Sequence, residues 1–347
     1  MTQDLRGVLT ALAIPFGADG SIDTGILRQV VDRSIDGGVH GVVACGSTGE
    51  FAAMTGDERR LVVETVVEHT AGRVPVVAQT GAVATREAIA LSQHAQEVGA
   101  SCVMLVTPYY EALSEAETVR YLSQVAGSID IPVMLYNLPG ATGVNLSPEL
   151  VGRLADQIPN IRYIKDTSAD MAQAGQLIHH LGDRVGTFIG WDSLALASLV
   201  EGAAGIMAGT ANIFPRDLVA VYDAVQAGDL ATAKARWDAL YPLMDTIMTA
   251  PFIQAVKSAL VSLGIPVGHP QRGKNARDRV THQEDDPHVE ARLQQRAHGG
   301  ELFLVEQLVC RRDVAGVTHA LATNDRLEVA HVLLQVIAHR AQAEQAV

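Results

Sequence analysis

An eight-stranded parallel α/β barrel, a (β/α)8 TIM barrel with additional C-terminal helices, is the fold class this sequence predicts. Three observations lead there. Eight short apolar runs recur between residue 7 and about residue 225. Segments with a 3.6-residue apolar period separate them. The turns that close the runs carry small and polar residues, at the end of the strands where such a barrel holds its chemistry. A doubly wound open sheet shows a similar local pattern, but the count of eight favours closure.

In chain order the runs are 7–12, 41–46, 75–81, 102–108, 131–137, 161–167, 185–190 and 205–210. Each is too short for a helix, and most are rich in Val and Ile, as strands buried on both faces are. Helical periodicity appears over 56–70, 86–98, 115–126, 148–158 and 169–181. Starts are marked by Thr55 ahead of Asp57 and Glu58, by Ser114 ahead of Glu115 and Glu117, and by Ser147-Pro148-Glu149. Ala-rich amphipathic stretches at 218–225, 231–243 and 252–263 predict helices added after the barrel. Beyond Pro266 the chain turns polar, and weaker helical periodicity returns over 327–343. The expected division is therefore a barrel over 1–225, a helical extension over 226–266 and an atypical, partly disordered polar tail over 267–347, whose stretches at 271–279 and 281–288 read as a linker or disordered segment.

Composition narrows the function. A net charge of −13 over 347 residues argues against nucleic acid or an anionic membrane surface, so a small molecule is the expected partner. Three cysteines are too few for a disulfide framework or a four-ligand zinc site, and a reducing cytoplasm is expected. No signal segment or membrane-length apolar run is present. HExxH, paired CxxC, GxSxG and GxGxxG patterns are missing, so no metal or cofactor is expected.

The lysines carry the first chemical clue. There are four, and Lys234 and Lys257 on helical patterns and Lys274 in the polar segment fit solvated roles. Lys165 instead ends the apolar run of residues 161–165. At a strand's carboxyl end a desolvated amine can lose its proton and attack a ketone, giving an iminium that acts as an electron sink. Pairing with Asp166 is the plainer explanation, and position alone leaves the two evenly matched.

Three other strand ends add to it. Tyr136-Asn-Leu-Pro139 offers a phenol for moving protons, although an isolated Tyr is more often a core residue. Cys45-Gly-Ser-Thr-Gly-Glu50 is a small-residue turn whose N–H groups could cradle a carboxylate, helped by a helix starting near Phe51, or a tight loop using Gly for its backbone alone. Thr107-Pro-Tyr-Tyr110 places two aromatics in a chain with 4% of them. The convergence of the four ends is the argument, since none decides alone.

Together with Gly205-Ile-Met-Ala-Gly-Thr210, these motifs resemble the dihydrodipicolinate synthase/N-acetylneuraminate lyase family over about residues 5–266. The resemblance implies a class I aldolase-type lyase, usually a homotetramer built as a dimer of dimers, that takes a pyruvate-type 2-oxo acid and an aldehyde. It implies Lys165 as the Schiff-base lysine, Tyr136 as the proton-transfer phenol and Ser47 in the hydroxyl relay where synthases usually carry Thr. Tyr110 would be the tyrosine that reaches a neighbouring subunit. Ser47 and Thr48 would hold the 2-oxo acid carboxylate, with Gly190, Asp192 and Met207 also lining the substrate.

Two departures shape the expected substrate. Where synthases normally place an Arg for the aldehyde's carboxylate stands Ala141, and Ser193 replaces the acidic residue of the lyases' sugar-contacting loop. A 2-oxo-3-deoxy acid aldolase or dehydratase is therefore the leading expectation, with 4-hydroxy-tetrahydrodipicolinate synthase as the alternative. A barrel that binds 2-oxo acids without turnover is disfavoured by the joint presence of Lys165 and Tyr136.

Overall fold

A computed structural model describes residues 5–271. Strands β1 (Gly7–Ala11), β2 (Gly41–Ala44), β3 (Val76–Gln79), β4 (Cys102–Val106), β5 (Val133–Asn137), β6 (Ile161–Asp166), β7 (Gly186–Ile189) and β8 (Gly205–Ala208) pair in order, and β8 returns to β1 to close a barrel. Every pairing is parallel. The apolar runs are these strands, trimmed by their last one or two residues except at β5, which keeps Asn137 and loses residues 131 and 132 instead. The trimmed last residues open the loops.

Outside lie α1 (Thr24–Asp36), α2 (Gly56–Thr70), α3 (Thr85–Glu97), α4 (Glu115–Ala126), a single turn α5 (Pro139–Thr142), α6 (Pro148–Gln157), α7 (Met171–Leu181) and the short α8 (Ala195–Val200). The N-cap signals read from the sequence close as hydrogen bonds. Thr55 and Glu58 form a reciprocal capping box, as do Ser114 and Glu117, and Ser147 Oγ accepts the Leu150 N–H. Helix α1 had no such prominent signal. Its Asp23 carboxylate accepts the Ile26 N–H at 2.9 Å.

After the barrel come α9 (Pro215–Gln226), α10 (Leu230–Thr249) and α11 (Phe252–Ser262). Helix α10 runs straight through Pro242, beyond the stretch expected to end at residue 243. A proline deletes one backbone donor, and buried Met244 and Ile247 on the far side of it hold the second half against the rest of the molecule. No helix among the described residues is long and apolar enough to cross a membrane.

Leu9, Met104, Met134, Phe188 and Met207 fill the barrel and are buried. Register fixes their levels: Met104 stands beside Met134, Met134 beside Tyr163, and Leu9 beside Met207. The Leu5 N–H donates to the Tyr163 hydroxyl at 3.1 Å near the amino end. At the other end, packing continues past Pro266. Val267 is fully buried and its carbonyl accepts the Phe16 N–H at 3.1 Å. Lys274 and the stretch at 327–343 fall outside the described residues.

Candidate active site

Lys165 and Tyr136 are register partners on β6 and β5, one step of two residues above the Tyr163–Met134 level. Neighbours in register project to the same face. The Lys165 Nζ lies 4.4 Å from the centre of the Tyr136 ring, and both residues are buried, at 5% and 2% exposure. The Tyr136 hydroxyl lies 3.2 Å from Ser47 Oγ on the loop after β2. Amine, phenol and alcohol thus come from three strand ends to one place.

Pairing of Lys165 with Asp166 does not occur. Strand alternation sends Asp166 to the opposite face, where Asn137 Nδ2 donates to it at 2.8 Å and Gln173 Nε2 at 3.3 Å. The Ser168 N–H and hydroxyl complete its shell. The carboxylate joins β5, β6 and α7, and the lysine is left to the interior.

The loop from Cys45 to Glu50 is bounded by two residues with left-handed backbone, Cys45 at φ 59° and Glu50 at φ 58°. Left-handed conformations are costly for residues other than Gly, so surrounding contacts must hold the turn. Among the described residues the Ser47 and Thr48 N–H groups have no hydrogen-bond partner, while Ser47 O accepts from Glu50 N. They are free donors within a buried turn. The expected helix at Phe51 is only a 3-10 turn, Phe51–Ala53, and α2 begins at Gly56 with its end taken by its own Glu58. Any anion held here is held by loop amides and not by a helix dipole.

Gly190 donates its N–H to Asp166 O at 2.8 Å and lies directly against Lys165. Buried Asp192 follows it, its Oδ2 accepting both the N–H and the hydroxyl of Thr210 at 2.7 Å. Burial pushes the Asp192 carboxyl above the usual range, against the lowering by the Thr210 hydrogen bonds and the Lys165 charge. The carboxylate ties the β7 and β8 loops together beside the lysine. Met207 is buried in β8. Tyr110 is not brought to this cluster; it is 82% exposed, and its neighbour Tyr109 packs edge-on to Phe51 instead.

Three features escaped the sequence reading. Thr167, two residues beyond Lys165 and so on its face, has a buried hydroxyl with no hydrogen-bond partner among the described residues, and it packs against Gly190. Strand alternation carried one step further would have found it. Phe252 of α11 packs on Gly209 with Thr48 Oγ1 close by, a contact no local pattern announces. Lys257, expected to be solvated, is 1% exposed and forms a 2.7 Å ion pair with Glu50. Being one of four lysines was its only signal.

A closed (β/α)8 barrel with a buried lysine, phenol and hydroxyl at its carboxyl end defines a lyase of the class I aldolase type. The chain belongs to the dihydrodipicolinate synthetase family, which matches residues 4–285. It is 40% identical over 261 residues to the 4-hydroxy-tetrahydrodipicolinate synthase of Sorangium cellulosum, covering 75% of this chain and 87% of that one. Among solved structures it resembles a putative dihydrodipicolinate synthetase from Pseudomonas aeruginosa, at 33% identity and TM-score 0.76, with 79% and 94% of the chains covered. It also resembles YagE from Escherichia coli K12, a prophage protein of the dihydrodipicolinic acid synthase family in complex with pyruvate. There identity is 35%, TM-score 0.75, and coverage 78% and 93%.

Proposed function

We propose that Lys165 forms a Schiff base with a pyruvate-type 2-oxo acid, and that the enzyme makes or cleaves either the carbon–carbon bond between C3, the carbon next to the bound one, and C4, or the carbon–oxygen bond on C4. The 4.4 Å placement of Nζ against the Tyr136 ring, with Ser47 on the phenol, carries this reading. The amine attacks the C2 carbonyl to give a carbinolamine. Tyr136 protonates the departing oxygen, which leaves as water, and an iminium remains. Loss of a C3 proton gives the enamine, whose C3 attacks an aldehyde carbon; cleavage runs the same steps backwards. Water then hydrolyses the iminium and frees Lys165.

The free Ser47 and Thr48 N–H groups suit the substrate carboxylate, and Thr167 Oγ1 supplies an unpaired polar atom near the lysine. Gly190 gives room for the adduct, with Asp192 and Met207 bounding it. Ala141 leaves no guanidinium on the loop after β5, which favours 2-oxo-3-deoxy acids with neutral tails over aspartate semialdehyde. The names of the relatives favour the second reading, 4-hydroxy-tetrahydrodipicolinate synthase. Exposed Tyr110 fits a contact with a second subunit, in a cytoplasmic homotetramer of the family's kind. Borohydride reduction with pyruvate, followed by peptide mapping, tests the chemistry. One adduct on Lys165 is expected, and label on Lys234 or Lys257 alone, or none, refutes it.

A further inference from the structure

The pair formed by Glu50 and Lys257 joins two distant parts of the chain in the interior. Its side chains are 0% and 2% exposed, with Glu50 Oε1 2.7 Å from Nζ. Glu50 Oε2 accepts the Gln271 N–H at 2.8 Å, and Lys257 Nζ reaches His269 O at 3.3 Å. The Nζ also stands 4.5 Å from the Phe16 ring centre, and Gly268, at φ 70°, lies so close to Phe16 O that a Cβ would come within 2.1 Å. Segment 267–271 is thus stitched to the loop after β1 and to Glu50.

Glu50 is the last residue of the turn that begins at Cys45, and its backbone is left-handed. Its N–H donates to Ser47 O at 3.1 Å, and the Phe51 N–H reaches Gly46 O at 3.5 Å. The backbone angle of Glu50 therefore directs the Ser47 and Thr48 amides. A second brace comes from α11, where Phe252 and Thr48 Oγ1 both crowd Gly209. An isolated buried pair is a weak source of stability, because desolvation offsets most of the attraction. Burial pulls the Lys257 ammonium below the usual lysine range, and hydrogen bonding to Glu50 opposes that.

We infer that Glu50 and Lys257 are positioning residues, through which α11 and segment 267–271 set the Ser47–Thr48 amides for the substrate carboxylate; this rests on the proposed role of those amides. The pair touches no substrate. It acts by holding the turn in a conformation that the turn does not favour alone.

The test compares borohydride trapping of pyruvate with that of pyruvamide, its neutral analogue, in the full chain. The unaltered protein should trap pyruvate preferentially on Lys165. Lys257→Met, which strands the Glu50 charge, should lose about tenfold or more of that preference, the scale of an ångström-sized misplacement at a site, while pyruvamide trapping persists. The double change Glu50→Gln with Lys257→Met removes both charges; it should restore thermal stability but not the preference. Glu50→Asp keeps the charge, shortens the reach and should also lower the preference, which covers the case of a misfolded Lys257→Met. Recovery of stability and preference together in the double variant, or an unchanged preference in any folded variant, overturns the inference. No adduct on Lys165 in the unaltered protein overturns the Schiff-base reading itself, and this inference with it.

Discussion

Gly190 lies so close to Lys165 that a Cβ built on it would stand 2.3 Å from the lysine Cε and 2.4 Å from Thr167 Oγ1. The glycine has no left-handed backbone to demand it, so its role is space. Gly190→Ala should displace the Lys165 side chain and not the barrel. Trapping of pyruvate should slow about 100-fold, the loss that an ångström-sized displacement can cause, with thermal unfolding nearly unchanged. Equal trapping rates would show that Lys165 has slack the packing does not suggest.

Tyr136→Phe keeps the ring beneath the Lys165 amine and removes the hydroxyl facing Ser47. The 2-oxo acid should still bind, while turnover falls by about 100-fold or more, the range for a positioned acid–base group. Steady-state kinetics separate the two effects. Unchanged turnover would take Tyr136 out of the proton path.

Ala141 sits on the exposed single turn α5 after the Tyr136 strand. Adding a guanidinium there with Ala141→Arg should raise kcat/KM for pyruvate with aspartate semialdehyde and leave neutral 2-oxo-3-deoxy acids unaided, because a bidentate arginine grips a carboxylate that Ala cannot. High synthase activity in the unaltered protein would mean that another arginine already fills this role.

A chain ended at Gln271 and one ended at Pro266 differ by five residues. The shorter one loses buried Val267, its bond to Phe16 and the amide on Glu50. Burial of one valine alone is worth roughly 1.5–3 kcal/mol, so the unfolding free energies from denaturant titration should differ by at least that much, with the shorter chain at the lower midpoint. Coincident midpoints would mean that the segment only rests on the barrel.

Asp192 offers a pH signature. Its carboxyl is pushed above 3.8, so between that value and the higher folded one the native state binds more proton than the unfolded chain. This contribution to stability is complete at low pH and is lost as pH rises through the folded value. Asp192→Asn removes it, so the stability of the unaltered protein relative to the variant should decline with rising pH across that window. A difference that does not vary with pH would show Asp192 to be unperturbed.

Fold and site differed in how much of each could be read from the chain alone. Short unbroken apolar runs and a 3.6-residue period are local signals, so the eight strands and the capped helices on Thr55, Ser114 and Ser147 were plain. Lys165 and Tyr136 were legible because strand ends are marked by the apolar run itself. The face on which Asp166 lands, and hence the choice between ion pair and nucleophile, needed the register of β5 against β6. Glu50 with Lys257 and Gly209 with Phe252 were hidden for another reason. Each joins residues far apart in the chain, where no repeat or spacing connects them.

Lys165 and Asp166 occupy adjacent positions yet serve opposite sides of one sheet, the first in the interior and the second in the hydrogen-bonded seam outside. This makes β6 intolerant of a change in length in a way that it need not be of a change in composition. Deleting one residue ahead of Lys165 would invert the strand's parity, turning an acid toward the barrel axis and stranding the amine among Asn137, Ser168 and Gln173. Insertions and deletions should therefore be tolerated in the loops and not within β6, where a one-residue slip would undo the packing and the proposed chemistry together.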